Sequence, residues 1–152
     1  MKFLFVCIGN SCRSQIAEAV ARELGCEAQS AGTQPADKVH EYAFRALEKW
    51  GINCSGLYPK HIDDIKIDVD DVVISMGCGV RCPNIKIDSD FNLEDPKDKD
   101  LGYFIDLVST IREKIIIEMD DIIITDKLLK VDVNLSTSRE IRLILSPEFT
   151  LK

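Results

Sequence analysis

No stretch constrains this chain more than Cys7-Ile8-Gly9-Asn10-Ser11-Cys12-Arg13-Ser14. A near-continuous apolar run, Lys2 to Ile8, leads into it, and a helical pattern, Ser14 to Leu24, leads out. The run has the character of a buried parallel strand. The helix buries Ile16, Ala17, Val20, Ala21 and Leu24 on one face and stops at Gly25. Such a loop curls so that its backbone N–H groups, from Ile8 to Arg13, point inward. With the positive end of the following helix they form a socket for an oxyanion. Arg13 adds a planar fork of donors suited to two oxygens of a tetrahedral anion. Cys7 sits at the base, where the positive field favours thiolate over thiol. The loop is expected to bind a tetrahedral oxyanion and attack its central atom with sulfur. A bare Cys-x5-Arg is common. The strand before, Gly9 and Asn10 in the turn, and the Ser14 hydroxyl beside Arg13 make this one specific.

The rest of the chain alternates strands and helices. Cys26–Ala31 reads as a strand, and Val39–Trp50 as an amphipathic helix with Val39, Ala43, Phe44, Leu47 and Trp50 inward. Val69–Met76 and Ile85–Asp88 read as further strands, and His61–Ile67 as a short helix. Lys99–Met119 reads as a helix with Phe104, Leu107, Val108, Ile111 and Ile115 on one face. The order predicts an α/β fold: a doubly wound open sheet of about four parallel strands flanked by helices. In such sheets ligands sit at the carboxyl ends of strands, the edge to which both Cys7 and Cys78 belong. The expected division is a catalytic domain over 1–120 and an extension over 121–152. In the extension, Val131–Leu135 alternates strictly and Ile141–Leu145 is a second β-like run, which predicts a β-hairpin.

Length and charge narrow the function. A chain of 152 residues fits one core, and a net charge of -7 argues against nucleic acid as a partner. No apolar stretch is long enough to span a membrane, and no export signal is recognisable. The expected location is the cytoplasm. Six cysteines in such a chain are then expected to be reactive or redox-active rather than structural disulfides.

The stretch Cys7 to Glu18 (CIGNSCRSQIAE) resembles the low-molecular-weight protein tyrosine phosphatases, and more closely their relatives the thiol-dependent arsenate reductases. The resemblance runs from Met1 to about Asp120. It implies that Cys7 is the nucleophile, that Ser14 hydrogen-bonds its sulfur while also suiting a helix N-cap, and that Asp95, stiffened by Pro96, is the general acid. Cys78 and Cys82 separate the two branches. Half of a zinc site would need two more ligands, and nothing is spaced to supply them. Inert core cysteines do not suit a loop in which glycines flank Cys78. A redox pair remains, and Met76 to Pro83 (MGCGVRCP) followed by Asp95-Pro96 resembles the redox segment of arsenate reductases. Gln15, where the phosphatases usually carry proline, points the same way. So does the lack of tyrosine in Lys97–Leu101.

The resemblance thus implies an arsenate reductase that uses a Cys7, Cys78 and Cys82 relay and is re-reduced by a thioredoxin-like partner. The alternative is a tyrosine phosphatase using Cys7 and Asp95. The implied substrate is arsenate or a phosphate-like oxyanion, with no cofactor. In similar reductases the residues matching Asn10 and Glu18 help hold a potassium ion. The remaining positions, around Pro59–His61, match poorly, and no metal is expected. Cys12 is expected to have a side role, protecting Cys7 as a reversible disulfide.

Overall fold

The computed structural model describes residues 1–77 and 85–135. Its elements are β1 (Phe3–Cys7), α1 (Arg13–Glu23), β2 (Ala28–Gly32), α2 (Glu41–Lys49), β3 (Val72–Ser75), β4 (Ser89–Asp90) and α3 (Leu101–Leu135), with a short 3-10 turn at Ile62–Asp64. The strands form one parallel sheet in the order β2-β1-β3-β4. The doubly wound parallel sheet expected from the alternation is therefore present.

β1 is central and buried along its whole length, which is why it reads as an unbroken apolar run. Leu4 and Val6 cluster with Ala31, Ile62 and Val73, and Ile65, Ile67, Ile85 and Ile87 pack over them. Phe3 and Phe5 stack at 5.9 Å, and Phe5 tilts against Phe91 at 6.2 Å. The last strand is shorter and later than expected. Ile85 and Ile87 serve as packing residues, and pairing to β3 begins only with Asp88 N–H donating to Val73 O at 2.8 Å. Trp50 differs too: it is 43% exposed, yet its indole N–H donates to Ile105 O at 3.0 Å.

By its internal contacts the chain falls into two units, Met1–Ile115 and Ile116 onward. In the first, Phe104, Leu107, Val108, Ile111 and Ile115 of α3 are all buried. In the second, α3 continues to Leu135, so Val131–Leu135 is helical and not the first strand of a hairpin. Strand-like alternation loses here because no Gly or Pro occurs between Gly102 and Pro147. Extending an established helix costs far less than nucleating a new element. Ile141–Leu145, the expected second strand, lies outside the described residues.

Candidate active site

The loop after β1 is held by its carbonyls. Thr33 N–H donates to Cys7 O, Gln34 N–H to Ile8 O, Ala36 N–H to Gly9 O and His40 N–H to Ser11 O, at 2.8 to 3.2 Å. The Gln15 side chain donates to Asn10 O at 2.9 Å, and Ile16 N–H to Cys12 O at 3.0 Å. Six consecutive carbonyls, Cys7 to Cys12, are thus engaged behind the loop or by α1. A trans peptide directs its N–H opposite to its C=O, so the N–H groups after the outward carbonyls turn toward the cleft. Asn10 N–H shows it directly, donating to Cys7 Sγ at 3.0 Å. Asn10 makes this turn at φ +48, and Gly32 lets the loop approach β2. A Cβ on Gly32 would lie 2.4 Å from Ile8 O.

α1 begins at Arg13 with Cys12 as its N-cap and no side-chain cap bond. Its first N–H groups therefore stay available to an anion. Ser14 is not the cap. Its buried Oγ lies 2.9 Å from Cys7 Sγ and accepts from Asn10 Nδ2 at 2.9 Å. The direction of these bonds follows from Asn10. Its Oδ1 faces two N–H donors, Lys60 N at 2.8 Å and Gln15 Nε2 at 3.1 Å, so its Nδ2 must face Ser14. With Ser14 Oγ accepting there, its own hydrogen is left for Cys7 Sγ. A hydroxyl and an N–H both aimed at one sulfur favour thiolate. Cys12 is set apart: burial pushes its thiol up, the charges of Asp95 and Cys7 add to this, and Ser11 and Arg13 oppose it.

Arg13 is buried. Its Nη1 donates to Leu93 O at 2.8 Å and Met76 O at 3.2 Å. It therefore joins the end of β3 to the segment carrying Asp95. Gly77, at φ +94, is pressed against that segment; a Cβ there would come within 2.5 Å of Leu93 N. These contacts bound a cleft of about 870 Å³. Residues 7–13 form its floor, Ala36, Lys38, His40 and Glu41 one wall, and Gly77, Leu93, Glu94, Asp95 and Lys97 the other. Asp95 is exposed there, and its Oδ1 accepts from Lys97 N–H at 3.1 Å. Ile8, Gly9, Asn10, Ser11, Cys12 and Arg13 thus share one cleft with Cys7 and Asp95. Ser14 lies behind it. Cys78 and Cys82 lie outside the described residues.

Three supports were not expected from sequence. His40 caps α2, accepting from Tyr42 N–H at 3.0 Å, and stacks on Phe104 at 5.0 Å. Glu18 is fully buried, and its Oε1 accepts from Ser30 N–H at 2.8 Å. Lys60, 8% exposed, places its ammonium 3.4 Å from the same oxygen. A signal for Glu18 was present: it interrupts a run, Ile16 to Ala21, that is otherwise apolar and helical.

A strand, an anion loop and a helix start with this geometry define a class, and the match to known proteins agrees. The chain belongs to the low molecular weight phosphotyrosine protein phosphatase family, whose profile matches residues 2–122. Within it, the chain is 38% identical over 122 residues to a glutaredoxin arsenate reductase of Synechocystis, covering 75% of this chain and 92% of that protein. The solved structure of an arsenate reductase in its phosphate-binding state superposes with a TM-score of 0.71 at 36% identity, covering 80% of this chain and 98% of that one. A thioredoxin-dependent arsenate reductase of Corynebacterium glutamicum gives a TM-score of 0.60 at 36% identity, covering 74% of this chain and 58% of that one.

With Lys60 in place, two of the oxygens that the resemblance offers to a potassium ion are already engaged. Glu18 Oε1 is already paired with Lys60 Nζ and with Arg22 Nη2, each at 3.4 Å. Asn10 Oδ1 is taken by two N–H donors. Among the described residues no cluster of His, Cys, Asp and Glu is arranged to hold a metal. No helix among them is long and apolar enough to cross a membrane.

Proposed function

We propose that this chain is an arsenate reductase. The observation that carries the reading is the inward-facing anion loop with Cys7 at its base, in a cleft whose described lining includes no Phe, Tyr or Trp. A phosphotyrosine ring would find no aromatic face to stack on, whereas a small inorganic oxyanion needs none. The similarity to arsenate reductases supports the same choice.

In this reading arsenate is held by the loop N–H groups and Arg13. The Cys7 thiolate attacks arsenic, and one arsenate oxygen, protonated with help from Asp95, leaves as water. The Cys78 thiolate then attacks Cys7 Sγ. A Cys7–Cys78 disulfide forms, the sulfur–arsenic bond breaks with its electron pair on arsenic, and arsenite departs. The Cys82 thiolate attacks Cys78 Sγ, which releases the Cys7 thiolate and leaves a Cys78–Cys82 disulfide. A thioredoxin-like dithiol reduces that bond. Such a reductant pool fits a cytoplasmic enzyme.

The test is arsenate-dependent NADPH oxidation with thioredoxin and its reductase, repeated with glutaredoxin and glutathione. The wild type turns over, and Cys78→Ser and Cys82→Ser each lose steady-state turnover. No arsenate turnover with either reductant, together with aryl phosphate hydrolysis indifferent to both substitutions, would leave a phosphatase.

A further inference from the structure

Glu18 and Lys60 form a buried ion pair that the relay described above does not use. Taking two charges out of water costs desolvation free energy, which is offset only where geometry and further hydrogen bonds are good. Their connections show what this pair holds. Glu18 Oε1 is fixed to β2 by Ser30 N–H at 2.8 Å. Lys60 Nζ lies 3.4 Å from that oxygen and donates to Tyr58 O at 2.9 Å, above the Tyr58 ring at 4.5 Å. The Lys60 backbone is clamped on its other side, because its carbonyl accepts from Gly32 N–H at 2.8 Å. So fixed, Lys60 N–H reaches Asn10 Oδ1 at 2.8 Å, and Asn10 passes the orientation through Ser14 to Cys7 Sγ.

We propose that Lys60 is a positioning residue that acts as a tethered cation. Its ammonium neutralises Glu18 and pins residues 58–60, and its N–H thereby sets the Asn10 amide that aims the Ser14 hydroxyl at Cys7. The chain then carries its own monovalent charge behind the anion loop, and Cys7 reactivity is indifferent to potassium. A further cation would join a carboxylate already flanked by Lys60 and Arg22. Burial lowers the Lys60 ammonium from the ordinary lysine value, while the Glu18 charge and hydrogen bond oppose this. Three buried oxygens nearby, Gln15 Oε1, Glu18 Oε2 and Ser30 Oγ, have no hydrogen-bond partner. They are the kind of donors a metal ion would require once the ammonium was gone.

The inference rests on Cys7 being the reactive sulfur, but not on arsenate being its target, so the test reads the thiol itself. The pH dependence of Cys7 alkylation by iodoacetamide is followed by peptide mass spectrometry, in potassium chloride and in choline chloride at equal ionic strength. For the wild type the two curves superimpose. Lys60→Met keeps the apolar stem and removes the charge. It shifts the Cys7 midpoint to higher pH, slows alkylation at neutral pH about tenfold, the scale of one charge-assisted hydrogen bond, and makes the rate rise with potassium. Lys60→Arg restores most of the wild-type curve. A wild-type rate that depends on potassium would overturn the proposal, and that comparison needs no folded variant. So would a folded Lys60→Met protein with an unchanged curve in both salts.

Discussion

At the scale of single residues, the site is a matter of which hydrogen points where. Ser14 is the last link to Cys7, and its hydroxyl is directed at sulfur because Asn10 Nδ2 already occupies its acceptor side. Ser14→Ala should therefore slow Cys7 alkylation at neutral pH by roughly tenfold to a hundredfold, since hydrogen bonds to charged groups are worth about 1.5–3 kcal/mol. A matching rise in the alkylation midpoint, measured by a pH series, would separate this from a folding defect. That Cys7, Arg13 and Ser14 would meet around one loop was legible in sequence because the motif spans eight contiguous positions. Lys60 was not. A lysine outside any motif reads as a solvated side chain, and only the closure of the 58–60 segment on Gly32 and Glu18 brings it behind the loop.

At the scale of elements, the strands position the loop by backbone contact, and the side chains that anchor strand ends set how they respond to acid. Gly32→Ala places a methyl 2.4 Å from Ile8 O, a backbone atom that cannot swing aside. The expected cost is about 1–3 kcal/mol of stability, with weaker phosphate binding, read by urea unfolding and by calorimetric titration. Before β1 and β3, Asp71 accepts from Lys2 N–H, from the Lys2 ammonium and from Asp68 N–H. Desolvation pushes its carboxyl up, but these bonds and the Lys2 charge outweigh that and hold it at about 2, below the ordinary 3.8. A carboxyl depressed in the folded state adds stability above its unfolded value and loses it as pH falls. Melting temperature should thus fall between about pH 4 and pH 2, and Asp71→Asn should be less stable at pH 6 while losing less on acidification. Strand and helix identities were readable from periodicity except at two places: β4 falls at Ser89–Asp90 rather than Ile85–Asp88, and only Ile62–Asp64 of the expected His61–Ile67 helix forms a turn. The helical course of Val131–Leu135 was not readable either, because strict alternation over five residues outweighs, on paper, the propagation of a helix that starts thirty positions earlier.

At the scale of the whole molecule, the described part of the candidate site belongs to the unit Met1–Ile115. Beyond Ile115, none of the residues up to Lys130 is buried. A chain ending at Asp120 should retain oxyanion binding and Cys7 alkylation at wild-type rates, checked by circular dichroism and the alkylation assay. Loss of both would assign the extension a part in building the site. The engagement of every carbonyl from Cys7 to Cys12 has a consequence for selectivity. A socket of N–H groups and one guanidinium weighs charge and tetrahedral shape, and by those measures arsenate and phosphate are near twins. Under the proposed function, discrimination falls to the later step in which the central atom accepts an electron pair from sulfur, something arsenic does and phosphorus does not. Phosphate would then be a resident competitor, and the arsenate concentration needed for half-maximal rate should climb in proportion to it. The nutrient status of the cell would thus set how much arsenate the enzyme can notice.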